Sequence, residues 1–126
     1  AQTGLARNAL GYLAIGPTLQ VTGQDRIFAS GDVASMADHP RAKAGVFAVR
    51  QGPVLFANLQ RALAGEPLLA HRPQTDWLSL IGTGPKHAIA TRNGIALQGR
   101  WVWRIKDIND RSYLARYRAI VEKDSP

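Results

Sequence analysis

Asn93-Gly94 stands between two short apolar runs, "HAIAT" and "IALQG". A two-residue hairpin connection needs positive φ at both central positions, which Asn-Gly supplies at little cost. The pair therefore predicts an antiparallel hairpin. The run "DWLSLIGTG" just ahead supplies a third strand, so residues 76–99 are expected to form a small antiparallel meander. The tail "RWVWRIKDINDRSYLARYRAIVEK" then reads as a helix, with Trp101, Ile105, Ile108, Tyr117, Ile120 and Val121 available for its apolar face. For Trp101 and Trp103 the expectation is a place in the core rather than at a lipid surface.

The first half has a different pattern. "GYLAIGPTLQVT" predicts a hairpin turning at Gly16-Pro17, and residues 27–30 of "RIFASGDVA" predict a brief buried strand that stops at Gly31. "MADHPR" predicts a loop. Residues 42–64 predict a helix with Val46, Val49, Leu55, Leu59 and Leu63 on its apolar stripe. Gly52-Pro53 should kink or divide it, because an interior proline removes a hydrogen bond and costs about 3 kcal/mol. Gly65 is a stop signal, and "EPLLAHRPQ" reads as an extended connection. The fold class expected is α+β, in two parts, residues 1–64 and 65–126.

Composition narrows the chemistry. No apolar run approaches the ~20 residues of a membrane-spanning helix. The opening residues lack the pattern of a signal peptide. Cysteine is absent, which excludes a disulfide, a thiolate metal site and a dithiol redox pair within these residues. His39, His71 and His87 show no metal-ligand spacing and read as surface or loop histidines. The net charge of +7 favours acidic partners, but the basic residues are scattered and no nucleic-acid-reading motif accompanies them. The chain begins without methionine, and we expect it to be part of a longer polypeptide.

The stretch with chemical content is "SGDVA", residues 30–34. A glycine lets the backbone approach a ligand closely, an aspartate accepts hydrogen bonds from hydroxyls, and a following helix offers a partly positive amino end. A plain turn with an aspartate cap reads equally well from these residues alone.

The longer phrase "GYLAIGPTLQVTGQDRIFASGDVASMADHPRAKAGVFAVRQGPVLFANLQRALAGEPL" resembles the carboxyl-terminal part of FAD-dependent pyridine nucleotide-disulfide oxidoreductases. It is most similar to the type II NADH dehydrogenase and sulfide:quinone reductase branch. Within that branch, "KAGVFAVRQGP" and "GRWVWRIKD" resemble flavoproteins found fused to or beside selenide, water dikinase. The resemblance implies the closing hairpin, strand and helix of an FAD/NAD(P)-binding α/β domain, followed by the meander and the terminal helix. It implies that Asp32 hydrogen-bonds the FAD ribityl chain, that Gly31 is the close-approach glycine, and that Val33 and Ala34 run beside the flavin. The helix start at Lys43, Ala44, Gly45 and Val46 would direct its amino end at the flavin pyrimidine ring.

No catalytic side chain and no metal ligand are implied. The G-x-G-x-x-G fingerprint is missing, so the resemblance places it upstream, together with the NAD(P)H site, in the portion of the polypeptide that completes the enzyme. This segment alone would be inactive. The redox cysteine pair, the carboxyl-terminal His-Pro and the quinone-site glutamines of various relatives are also missing, which leaves the electron acceptor open. Arg50 and Gln51 lie where an acceptor site would be, although a solvated helix face or an interdomain contact is the more ordinary account of them. A cytoplasmic location is expected, with homodimer formation and peripheral contact at the inner face of a membrane as further options. The competing expectation is a basic interaction, membrane-surface or dimerisation module with no catalysis of its own.

Overall fold

A computed structural model describes residues 3–40 and 43–123. The chain is mixed α/β and divides into two compact units, Ala1–Gln74 and Thr75–Pro126.

In the first unit β1 (Leu13–Ile15) runs parallel to β2 (Ala34–Met36), with Leu13 opposite Ala34 and Ile15 opposite Met36. The chain turns back after Ile15. Leu19 N–H donates to the Gly16 carbonyl at 3.0 Å, and Gly16 N–H donates to the Gln20 carbonyl at 2.9 Å. Antiparallel bridges then join Ile15 to Val21 and Gln20 to Phe28. The expected hairpin at Gly16-Pro17 is thus present as single bridged pairs. The strand expected at residues 27–30 does not form: Phe28 makes one bridge, and Ile27 is exposed. A 3-10 turn, Gly31–Val33, follows instead, and the strand comes after it as β2, reaching Met36 in the segment expected to be loop. Ala34 and Met36 point inward with Ser35 between them, a period-two pattern too short to stand out in sequence.

The core of this unit is Ile15, Leu19, Val21, Ala29, Ala34 and Met36, with Val54 and Leu55 of α1 packed on it. Helix α1 (Gly45–Ala64) continues through Pro53 as one element rather than two and ends at Gly65. Ala42, where the pattern began the helix, lies outside the described residues. Three of the expected stripe residues face solvent, Val49 at 44%, Leu59 at 44% and Leu63 at 90% exposure. The inward face instead carries Val54, Leu55 and the fully buried Asn58.

Asn58 explains this rotation of the helix. Its Nδ2 donates to the carbonyls of Thr18 (2.8 Å) and Leu69 (2.9 Å), and its Oδ1 accepts from Leu69 N–H at 2.8 Å. One carboxamide therefore satisfies three backbone groups of two irregular segments, groups that would be costly to bury unpaired. The return chain after α1 is held to the first unit in this way, and His71 N–H adds a bond to the Pro17 carbonyl at 2.8 Å. Residues 65–74 consequently fall within the first compact unit.

The second unit is a meander, β3 (Ser79–Gly84), β4 (His87–Arg92) and β5 (Ile95–Gly99), followed by α2 (Arg100–Lys123). Asn93 and Gly94 have φ of 50° and 78°, the positive pair that the tight hairpin requires. The Asp76 carboxylate gathers Asn93 Nδ2 (3.1 Å) and Arg92 Nη2 (3.0 Å) beside that turn. The bonds from Asn93 and Arg92 hold the Asp76 carboxyl below its ordinary range. Helix α2 packs on the sheet through the fully buried Val102, and Ala88 of β4 is equally buried.

Trp101, Ile105, Ile108 and Tyr117, expected on the apolar face, are exposed, while the side chains of Ile120 and Val121 lie outside those described. For Trp101 this corrects the expected core position, because its neighbour Val102 occupies the inward place. Part of the basic charge on α2 is matched locally, Lys106 by Asp110 and Arg111 by Asp107 (2.8 Å). Solvent screens pairs of this exposed kind, so they add little to stability. Among the described residues no helix is long and apolar enough to cross a membrane.

Replacing Asn58 by Leu strands three part-buried backbone groups. We expect the first unit to lose about 3 kcal/mol of unfolding free energy in urea titrations. An unchanged midpoint would contradict the clamp.

Candidate functional site

The turn at Gly31–Val33 lies against α1, and the arrangement requires glycine at its first position. Gly31 has φ +68°, and a Cβ there would stand 3.3 Å from the Cβ of Ala48. The missing side chain therefore serves a left-handed backbone and close packing against the helix. Its amide is also committed: Gly31 N–H donates to Gln51 Oε1 at 2.6 Å. Gln51 is intermediate in burial and anchors the turn from the second turn of α1, a role distinct from the solvated face or acceptor contact weighed for it.

A cleft of about 40 Å³ opens at this turn. Of the residues proposed from sequence, Gly31, Asp32, Ala34, Lys43 and Ala44 line it; Val33, Gly45 and Val46 do not. Val33 is 55% exposed. Gly45 opens α1, and Val46 is half-buried within its first turn. Asp32 is exposed, on the turn that leads into β2 rather than at the end of a strand, so the strand-end argument for its position does not apply. Lys43 donates from Nζ to the Ala34 carbonyl at 2.5 Å, and its ammonium lies 4.0 Å from the centroid of the Tyr12 ring. That cation ties the approach to α1 to the start of β2.

Ala44 takes the N-cap position with extended backbone and no side-chain cap, and the first turn of α1 contains no acidic residue. Its carbonyl accepts from Phe47 N–H at 3.0 Å. Helices leave their first amides without intrahelical partners and carry partial positive charge there. The cleft therefore brings Asp32 of the turn together with Ala44, the N-cap residue of α1.

Folding adds Ser35, Met36, His39, Phe47, His71 and Pro73, which the sequence did not single out for a site, and Gln51, which the resemblance had set near an acceptor, completes the lining. His71 comes thirty-nine residues after Asp32 and arrives on the return chain that Asn58 holds at Leu69 and the Pro17 carbonyl holds at His71 itself. Burial lowers the His71 pKa below the ordinary imidazole value. Among the described residues no group of three or more His, Asp or Glu side chains is arranged to hold a metal ion. No family model and no curated protein matches the chain.

The His71 shift sets a pH dependence. The unfolded chain binds this proton more tightly than the folded one, so the histidine's contribution is complete above about pH 6.5 and is lost as pH falls through the lower folded value. Urea unfolding at descending pH should show falling stability, and His71→Gln should flatten that fall. Equal pH profiles for the two proteins would contradict it.

Proposed function

We propose that this chain supplies one wall of the flavin site in an FAD-dependent NAD(P)H oxidoreductase. The observation that carries the reading is the convergence of the exposed Asp32 carboxylate and the uncapped start of α1 on one cleft. FAD combines hydroxyls that need acceptors with a ring edge that becomes electron-rich on reduction, and these two features suit the two groups. The cofactor would supply two-electron hydride chemistry.

Asp32 accepts hydrogen bonds from ribityl hydroxyls in this reading, and its exposure leaves the carboxylate oxygens available. The partly positive amino end of α1, which meets the cleft at its N-cap residue Ala44, favours negative charge near the ring edge without reorganising. Gly31 and Gln51 position the turn that carries Asp32, rather than touching the cofactor through the Gly31 amide. Lys43 stabilises the loop leading into α1. A cleft of about 40 Å³ holds a water or two. Cofactor sites enclose roughly 300–1,000 Å³, so the rest of the enclosure and the NAD(P)H site belong to an upstream portion of the polypeptide. The acceptor is left open, and a cytoplasmic location accompanies the reading.

Protein expressed from the uninterrupted reading frame and reconstituted with FAD should show flavin absorbance. Asp32→Ala should weaken FAD binding about tenfold, the loss expected for one charged hydrogen bond. A protein that stays colourless, or an Asp32→Ala variant with undiminished affinity, would overturn the reading. The 126-residue chain alone should bind FAD weakly or not at all.

A further inference from the structure

Two of the three histidines, thirty-two residues apart, reach the same cleft by independent routes. His39 follows β2 directly, its N–H donating to the Met36 carbonyl at 3.3 Å. His71 is delivered by the return chain that Asn58 clamps, its N–H held by the Pro17 carbonyl at 2.8 Å. Both backbones are therefore fixed. Among the described residues neither imidazole makes a hydrogen bond, so both rings keep their nitrogens for the cleft and for water. The other charged groups lining the opening are Asp32, from the turn, and Lys43, which is engaged by the Ala34 carbonyl and the Tyr12 ring.

We propose that His71 is a redox-linked proton acceptor: it takes up one proton from solvent when negative charge arrives on a ligand seated at this cleft. The inference rests on the flavin reading above and adds a role for the wall. Hydride from NAD(P)H carries two electrons and one proton, and leaves NAD(P)⁺ behind. The receiving site gains one negative charge. One proton moving from water to His71 cancels that charge, so the ligand and the wall together then hold two electrons and two protons.

An acceptor that takes up two electrons and two protons matches this store, and His71 returns to its neutral form as such an acceptor is reduced. Burial keeps an imidazole neutral in an uncharged cleft, and an adjacent anion reverses that preference. Asp32 adds to the negative field, whereas Lys43 opposes it from a fixed position. His39 lines the same opening and adds a second imidazole to it. Imidazole is suited to such a task because its charge changes near neutral pH.

The test uses flavoprotein from the uninterrupted reading frame, labelled with ring-¹³C histidine and titrated by NMR in the oxidised and dithionite-reduced states. His39→Gln and His71→Gln variants assign the resonances. Reduction should tighten proton binding at His71 about tenfold or more. The potential–pH slope near neutrality should correspond to two protons per two electrons in the wild type and one in His71→Gln. A flavin-loaded protein in which His71 titrates identically in both redox states overturns this proposal and leaves the flavin reading standing. Protein that binds no flavin overturns both.

Discussion

Two carboxamides on one side of α1, Gln51 and Asn58, determine where the irregular chain around that helix lies. They are seven residues apart, about two helical turns, and therefore share a face. Gln51 receives the amide of the Gly31 turn, while Asn58 serves Thr18 and Leu69. A buried amide left without a partner costs about 1–3 kcal/mol, so each of these segments has a specific reason to stay where it is. The cleft follows from both contacts. Gln51 orients the turn bearing Asp32, and Asn58 brings back the chain bearing His71.

This division of labour explains why the first unit has so little regular sheet. Its strands are three residues each, and much of the remaining chain is organised by isolated bridges and by side chains that replace a ladder partner. Leu19 illustrates the same economy. It is fully buried with φ +66°, a conformation that costs about 1–2 kcal/mol for a non-glycine residue. Packing against Ile15 and Val21, together with backbone bonds to Gly16 and Ala29, holds it there.

Legibility in sequence followed the range of the interaction responsible. Asn93-Gly94 acts within four residues, and the meander and its turn were readable. Both helices were readable from composition and period, but not their faces. The inward side of α1 is marked by Gln51 and Asn58, which an apolar pattern discards, and α2 buries Val102 rather than the flanking tryptophan Trp101. Near Gly31, the local phrase named Asp32, Ala34, Lys43 and Ala44, residues that the fold brings to one cleft. It misassigned the strand, because β2 depends on pairing with β1 some twenty residues earlier. His39 and His71 carry no local signal of convergence. A polar residue, Asn58, close to Val54 and Leu55 on the inward face of α1, was the available clue to the second of them.

The most direct measurement of this account is amide hydrogen exchange of the Gly31 N–H, in the wild type and in Gln51→Leu. The bond to Gln51 Oε1 predicts slow exchange at Gly31 in the wild type. It also predicts marked acceleration at that one amide in the variant, with the amides in the body of α1 still protected. Fast exchange at Gly31 in the wild type, or protection that survives loss of the Gln51 carboxamide, would contradict the claim that this side chain holds the turn and the cleft in place.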